Sequence, residues 1–418
     1  MKQTAKFSFM EQIKTVEIKD ICLGIYEGPH ATPKNSDTGG IYLGIPALDP
    51  KGFIDYSRAK RIAEEDLPLW TKRVTPQEDD IVFTNEATLN LYAIIPANFH
   101  GCLGRRLGLI RPNKDLVNVK YLFYYFFSPE WRETVAKNKV SGATVDRILM
   151  TKFPSFPVAL PSLKTQERIA NILSVIDAKI EVNRQINDNL EQQAKVLYKS
   201  WFVDFEPFKD GDFIESEIGE IPAGWSIVKF SDISETPKKT INPQKFPDTT
   251  FYHYSLPACD NGLIPEIQIG KDIMSNKIIL QNNTTLFSKL NPRIKRIWFT
   301  GEVLPNSICS TEFIPFRAKY DTESSYIFSI VNSDAFYATV MGCVNGATGS
   351  HQRFHAEDTE DFLCPYNQDV VNEFSKLIEP ILSQMHDLRH ENVMLTSTRD
   401  TLLPKLMSGE LKINDLDC

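Results

Sequence analysis

At 418 residues, 42% of them hydrophobic and 24% charged, the chain has the composition of a soluble globular protein of two or three domains. Its seven cysteines (22, 102, 259, 309, 343, 364 and 418) form no Cys-x-x-Cys pair, and no apolar run approaches the roughly 20 residues of a membrane helix. Free thiols in a reducing cytoplasm are therefore expected, rather than a zinc ribbon, a disulfide scaffold or a membrane span. The net charge of −8 argues against a polyanionic partner only on average: residues 1–160 hold 21 Lys and Arg against 18 Asp and Glu, whereas residues 207–363 hold 14 against 20.

In chain order, Met1 to Lys14 scatter charge and lack an apolar segment, so no secretory signal is expected. Short β-branched and aromatic runs predict strands at Gly40–Ile45, Ile81–Thr84 and Leu91–Pro96, and the aromatic run Val119–Lys137 predicts a helix. A second set follows the polar stretch Gly211–Trp225, read as a linker: strands at Ile278–Phe287, Arg293–Phe299 and Phe313–Arg317, then a helix at Ser324–Met341.

Each set is followed by a heptad pattern. Ile169, Leu173, Ile176, Ile180, Asn183, Asn187, Leu190, Ala194, Leu197 and Trp201 alternate steps of four and three. Phe374, Ile378, Ile381, Met385, Leu388, Asn392, Leu395, Arg399, Leu402 and Leu406 repeat those steps 205 residues later. A period of 3.5 marks a coiled-coil seam, and a polar residue on it, such as Asn187 or the equivalent Asn392, sets register and partner choice. Pro380 is expected to bend the second helix and Pro404 to bend or end it.

The two sets are copies. Tyr121–Thr144 aligns without a gap on Ser325–Thr348, both ending in Gly-Ala-Thr; the same offset of 204 pairs Phe83-Thr84 with Phe287-Ser288, and upstream the offset drifts to about 211. The expected fold class is α+β: two mixed α/β domains joined by two long helices, which form an antiparallel intramolecular coiled coil within a pseudo-two-fold repeat. A seam of about 33 residues would run roughly 50 Å, about one and a half turns of B-DNA. A coiled coil serving only homodimerisation is the alternative.

Enzyme signatures are missing. The sequence has no P-loop, no Gly-x-Gly-x-x-Gly after a strand, no Asn-Pro-Pro motif of amino-methyltransferases and no Gly-x-Ser-x-Gly elbow; its seven histidines are scattered. The candidate binding residues are basic and polar clusters in corresponding regions: Arg58, Lys60, Arg61, Arg105, Arg106, Lys139, Gly142, Thr144 and Arg147, then Lys238, Lys239, Arg293, Lys295, Arg296, Thr348, His351, Gln352 and Arg353. Arg, Lys and Gln read base edges or hold phosphates, and Gly beside Thr permits close backbone approach. Taken singly, each cluster also fits a solvated charged face.

Leu160-Pro161-Ser162-Leu163, Gln166-Glu167-Arg168-Ile169-Ala170, Trp201-Phe202-Val203-Asp204-Phe205, Ile218–Trp225 and Leu402–Glu410 resemble the specificity subunits of type I restriction–modification systems. Two departures stand out: Lys14–Ile21 lacks the tryptophan found at Trp225, and the second helix opens without a Gln-Glu-Arg-Ile run. The resemblance implies target recognition domains at 1–158 and 207–363, with conserved spacer helices at 159–206 and 364–418. It implies a bipartite duplex DNA target and no catalysis or cofactor in this chain. Its partners would be two modification subunits, which bring S-adenosylmethionine and methylate adenine, and restriction subunits using ATP and Mg. A cryptic methyltransferase or nuclease, and a scaffold no longer reading DNA, are the competing functions.

Overall fold

A computed structural model describes residues 13–142, 145–344 and 352–411. The chain forms two compact units, one of Met1–Lys179 with Leu395–Cys418 and the other of Ile180–Met394.

In the first unit an antiparallel sheet runs in the order Cys22–Glu27, Leu107–Pro112, Ile81–Thr84, Tyr92–Ile94. Its central strand is buried on both faces, which is why Ile-Val-Phe reads as an unbroken apolar run rather than an alternation. Ile81 and Phe83 join the cluster built by the aromatic helices, whereas Val82 joins the cluster under a smaller sheet of Lys60–Ile62, Gly40–Leu43 and Gly101–Leu103. Lys14–Glu17 pairs with Pro157–Leu160, the strand that leads into the first long helix.

The second unit repeats this order as Ser234–Glu235, Phe313–Ala318, Thr285–Ser288, Ile297–Phe299, with Ser226–Lys229 paired to Leu363–Tyr366. Alternation again splits the central strand, Phe287 to one cluster and Leu286 to the other. The smaller sheet has grown to five strands by adding Lys277–Ile279 and Thr240–Ile241 beside Ser307–Ser310.

Four expectations change. Each aromatic helix is two helices, Val119–Tyr125 with Pro129–Asn138 and Ser324–Asn332 with Asp334–Cys343. Ser128 and Ser333 break them, because their hydroxyls cap the amides of Trp131 and Phe336 and start a new helix. The run Ile278–Phe287 is two strands, Lys277–Ile279 and Thr285–Ser288, separated by a turn in which Asn283 takes φ 58°. Gly211–Trp225 is no open linker: Phe213–Ser216 and Gly219–Pro222 form a hairpin, and Ile221 and Trp225 are buried in the unit's core. Trp225 packs there on Phe202, Phe205 and Phe208, contacts between residues too far apart for local pattern reading. Finally, Pro404 does not itself end the second long helix, which is helical from Gln368 to Met407. The helix stops where Gly409 takes φ 74°.

Candidate nucleic-acid interface and helix seam

Both long helices are 40 residues, Leu163–Phe202 and Gln368–Met407, and each contributes to both units. Within the first unit Arg399 meets Asp177, and Leu403 and Leu406 share a core cluster with Ile169 and Leu173. Within the second, Asn392 meets Asn183 and Phe374 packs on Trp201. Numbers rise on one helix as they fall on the other, so the pairing is antiparallel in each unit.

Ile169, Leu173, Ile180, Asn183, Leu190, Ile378, Met385 and Leu406 are buried; Ile176, Asn187, Leu197, Trp201, Ile381, Leu388, Asn392, Leu395 and Leu402 are half-buried. Tyr198, Phe202, Leu382 and Leu403 are buried beside the seam because the aromatic helices cover them.

Two polar contacts interrupt the seam. Asn183, fully buried, donates through Nδ2 to Asn392 Oδ1 at 2.9 Å and to Glu391 Oε2 at 2.7 Å, while Asn392 Nδ2 donates to the Ile180 carbonyl at 3.4 Å. Asn392 is thus bonded to Asn183 rather than to its repeat equivalent Asn187. Such a contact costs stability relative to Leu but is satisfied in one register only. Replacing Asn183 and Asn392 together with Leu is expected to raise the melting temperature. It should also broaden the register, seen as scatter in cysteine cross-linking across the seam; an unchanged cross-linking pattern would remove the register role.

The second contact explains Arg399. Its Nη1 donates to Asp177 Oδ1 at 2.8 Å, Nη2 donates to Asp400, and Tyr124 Oη donates to Asp177 Oδ2 at 2.7 Å. Burial opposes the Arg399 charge, but the bonds to Asp177 and Asp400 outweigh it and hold the guanidinium above its ordinary range. Burial, aided by the Asp177 charge, pushes the Tyr124 phenol up.

The candidate DNA-binding residues divide by what already holds them. Arg58 lies 3.1 Å from Asp55, Arg106 3.2 Å from Glu86, Lys139 2.6 Å from Asp146 and Lys238 3.4 Å from Glu357. Arg296 forms a bidentate pair with Asp260, and Arg353 donates to both oxygens of Glu312. Lys295 donates to the Asn332 carbonyl at 2.7 Å beside the Tyr337 ring, and burial lowers its pKa. Arg61 donates to the Gly39 carbonyl. Lys60, Arg105, Arg147, Lys239 and Arg293 are exposed and meet no acidic side chain among the described residues. Gly142 is exposed and Gln352 half-buried; Thr144, Thr348 and His351 lie outside the described residues.

Backbone contacts gather several of these at one place in each unit, the end of the central strand. In the first, the Asn85 amide donates to the Arg106 carbonyl, the Ile148 amide to the Asn85 carbonyl, and the Glu86 backbone forms an isolated antiparallel β-bridge with that of Arg147. Lys60 stands opposite Tyr42, whose hydroxyl accepts from the Arg105 amide at 3.0 Å, so the basic residues continue onto the smaller sheet. In the second, the Ser288 amide donates to the Arg296 carbonyl, the Lys289 amide to the Glu312 carbonyl, and Leu290 bridges Arg353. Glu312 occupies the place of Arg106, and Arg353 that of Arg147, so the internal ion pair is redrawn. Arg58, Lys139 and Arg296 are held by their own local partners.

The sequence reading passed over Tyr42, Asn85, Glu86, Lys289 and Glu312. Position was the available signal: Asn85 and Lys289 each directly follow the matched strands IVFT and TLFS. Tyr121 and Tyr326 stand one position out of the gapless alignment, which sets Tyr121 against Ser325, yet both hydroxyls donate to the strand before a long helix, at Ala159 and Pro365.

Residues 10–192 match the family model described as the type I restriction modification DNA specificity domain. The chain is 26% identical over 392 residues to the type I restriction enzyme MjaIX specificity subunit of Methanocaldococcus jannaschii, covering 89% of this chain and 88% of that one. It is 24% identical over 391 residues to the HindI specificity subunit of Haemophilus influenzae, covering 72% and 80%. In fold it is similar to the crystal structure of the type I restriction–modification S subunit from M. genitalium, with a TM-score of 0.53 at 14% identity over 97% of this chain and 98% of that one.

Proposed function

We propose that this chain, whose residues 10–192 match the type I restriction modification DNA specificity domain and which is similar over most of its length to type I specificity subunits, is itself a non-catalytic DNA-recognition subunit that reads a bipartite, interrupted duplex target, one part with each unit. The observation that carries this reading is the repeated arrangement at the end of the central strand. The same loop contacts recur in both units, and exposed basic side chains (Arg105 and Arg147, then Arg293) stand there without acidic partners among the described residues. Residues 1–158 and 207–363 are the reading domains of this proposal, and the helices within 159–206 and 364–418 are the docking surface. The docked partners are two modification subunits, which carry S-adenosylmethionine and methylate adenine, and restriction subunits that use ATP and Mg. Duplex phosphates take the lysines and arginines, and base edges take the planar donors.

The test is to co-express the chain with a cognate modification subunit and map adenine methylation across the host genome by long-read sequencing. Methylation at one interrupted motif, lost when this chain is omitted, is the expected result. An assembled complex that methylates nowhere would support the scaffold reading instead. Arg105→Gln and Arg147→Gln are each expected to weaken target binding by about 1–3 kcal/mol if the side chain reads a base, with relaxed preference at one position of the first half-site. Methylation of half-site variants distinguishes that outcome from a uniform loss.

A further inference from the structure

This inference rests on the DNA-reading function proposed above and assigns one of its contacts. In the second unit four segments converge on an open groove of about 290 Å³. They are the stretch between Ser234–Glu235 and Thr240–Ile241, the residue after Thr285–Ser288, the turn before Phe313–Ala318, and the segment before Leu363–Tyr366. Lys238, Lys289 and His355 bring nitrogens to the groove, Thr236, Thr240 and Thr311 bring hydroxyls, and Phe313 and Pro315 give it an apolar floor.

The convergence runs against the local charge balance, since residues 207–363 hold 14 Lys and Arg against 20 Asp and Glu. Two acids border the groove, and both are engaged. Glu312, next to Thr311, is held through both oxygens by Arg353 at 3.2 Å. Glu357 lies 3.4 Å from Lys238, with side chains 62% and 75% exposed. A pair that exposed is weak and exchanges readily for another anion.

We infer that this groove seats the sugar–phosphate backbone of the DNA: Lys238 and Lys289 neutralise phosphodiesters, the threonine hydroxyls donate to their oxygens, the apolar floor takes the deoxyribose face, and Glu357 is the internal anion that the DNA displaces from Lys238. Contacts of this kind fix where a reading domain stands on the duplex and carry no sequence information themselves.

Fluorescence anisotropy tests this on the chain assembled with its modification subunit, using the mapped target duplex and an unrelated duplex between about 0.05 and 0.3 M salt. Lys238→Gln and Lys289→Gln should each weaken both duplexes alike by about fivefold and lower the slope of log K against log salt by about 1, leaving the target preference intact. Glu357→Gln should tighten both, an opposite sign that a merely structural role does not produce. Unchanged slopes in both lysine variants, a loss confined to the target duplex, or no gain in Glu357→Gln would overturn the assignment. A wild-type assembly that shows no preference for any duplex refutes the reading function instead, and the slopes on the unrelated duplex still decide the groove.

Discussion

Leu190→Asp is expected to abolish assembly with the modification subunits and to destabilise the second unit by about 4 kcal/mol, from lost apolar burial plus a carboxylate with no partner. Leu190 is 8% exposed and shares the core cluster of Met385, Phe374 and the aromatic helix Ser324–Asn332, so the substitution reaches both the helix pair and the domain packed on it. Leu395→Asp should cost less, about 2 kcal/mol, because Leu395 is half-buried and its new carboxylate can turn toward water. Thermal unfolding followed by circular dichroism gives the stability order, and gel filtration of co-expressed subunits gives assembly. Normal assembly of both variants would mean that the helix pair is not the docking surface.

The second large effect is at Asp177. Asp177→Leu leaves Arg399 desolvated and Tyr124 without its acceptor, an expected cost of about 3 kcal/mol in the first unit. Asp400, 60% exposed, can compensate only in part. The double replacement Asp177→Leu with Arg399→Leu should recover much of the loss, since two well-packed apolar residues carry no buried charge. Chemical denaturation of the two single variants and the double variant measures the coupling. Additive losses would show that the ion pair contributes nothing beyond its separate side chains.

The pattern of what was legible follows from the range of the interactions. Heptad spacing survives in sequence because every seam residue faces the same partner surface for the length of the helix; Ile169 and Leu190 obey one rule. The paired positions of Phe83 and Phe287 survive because a duplicated core keeps its large side chains in place. Ser128 and Ser333 were visible but undervalued: an aromatic run hid a capping serine in its middle. Trp225 and the hairpin before it were misjudged because turn residues dominate the stretch, whereas Phe202, Phe205 and Phe208, which bury it, lie upstream in the chain.

The sequence by itself determined the duplication, the mixed α/β character of each half, the two long helices with their seams, and a resemblance to type I specificity subunits. Each is written in periodicities or in motifs that local spacing preserves. Only the tertiary structure decided which charges are spent internally: Arg106 on Glu86, Arg296 on Asp260, Arg353 on Glu312 and Arg399 on Asp177. It also decided which remain at the surface, Lys60, Arg105, Arg147, Lys239 and Arg293. A charge is available to DNA without displacing a carboxylate only if none lies within a few ångströms. Those carboxylates are brought in by strand pairing and by helix register, from positions up to 222 residues away in the chain.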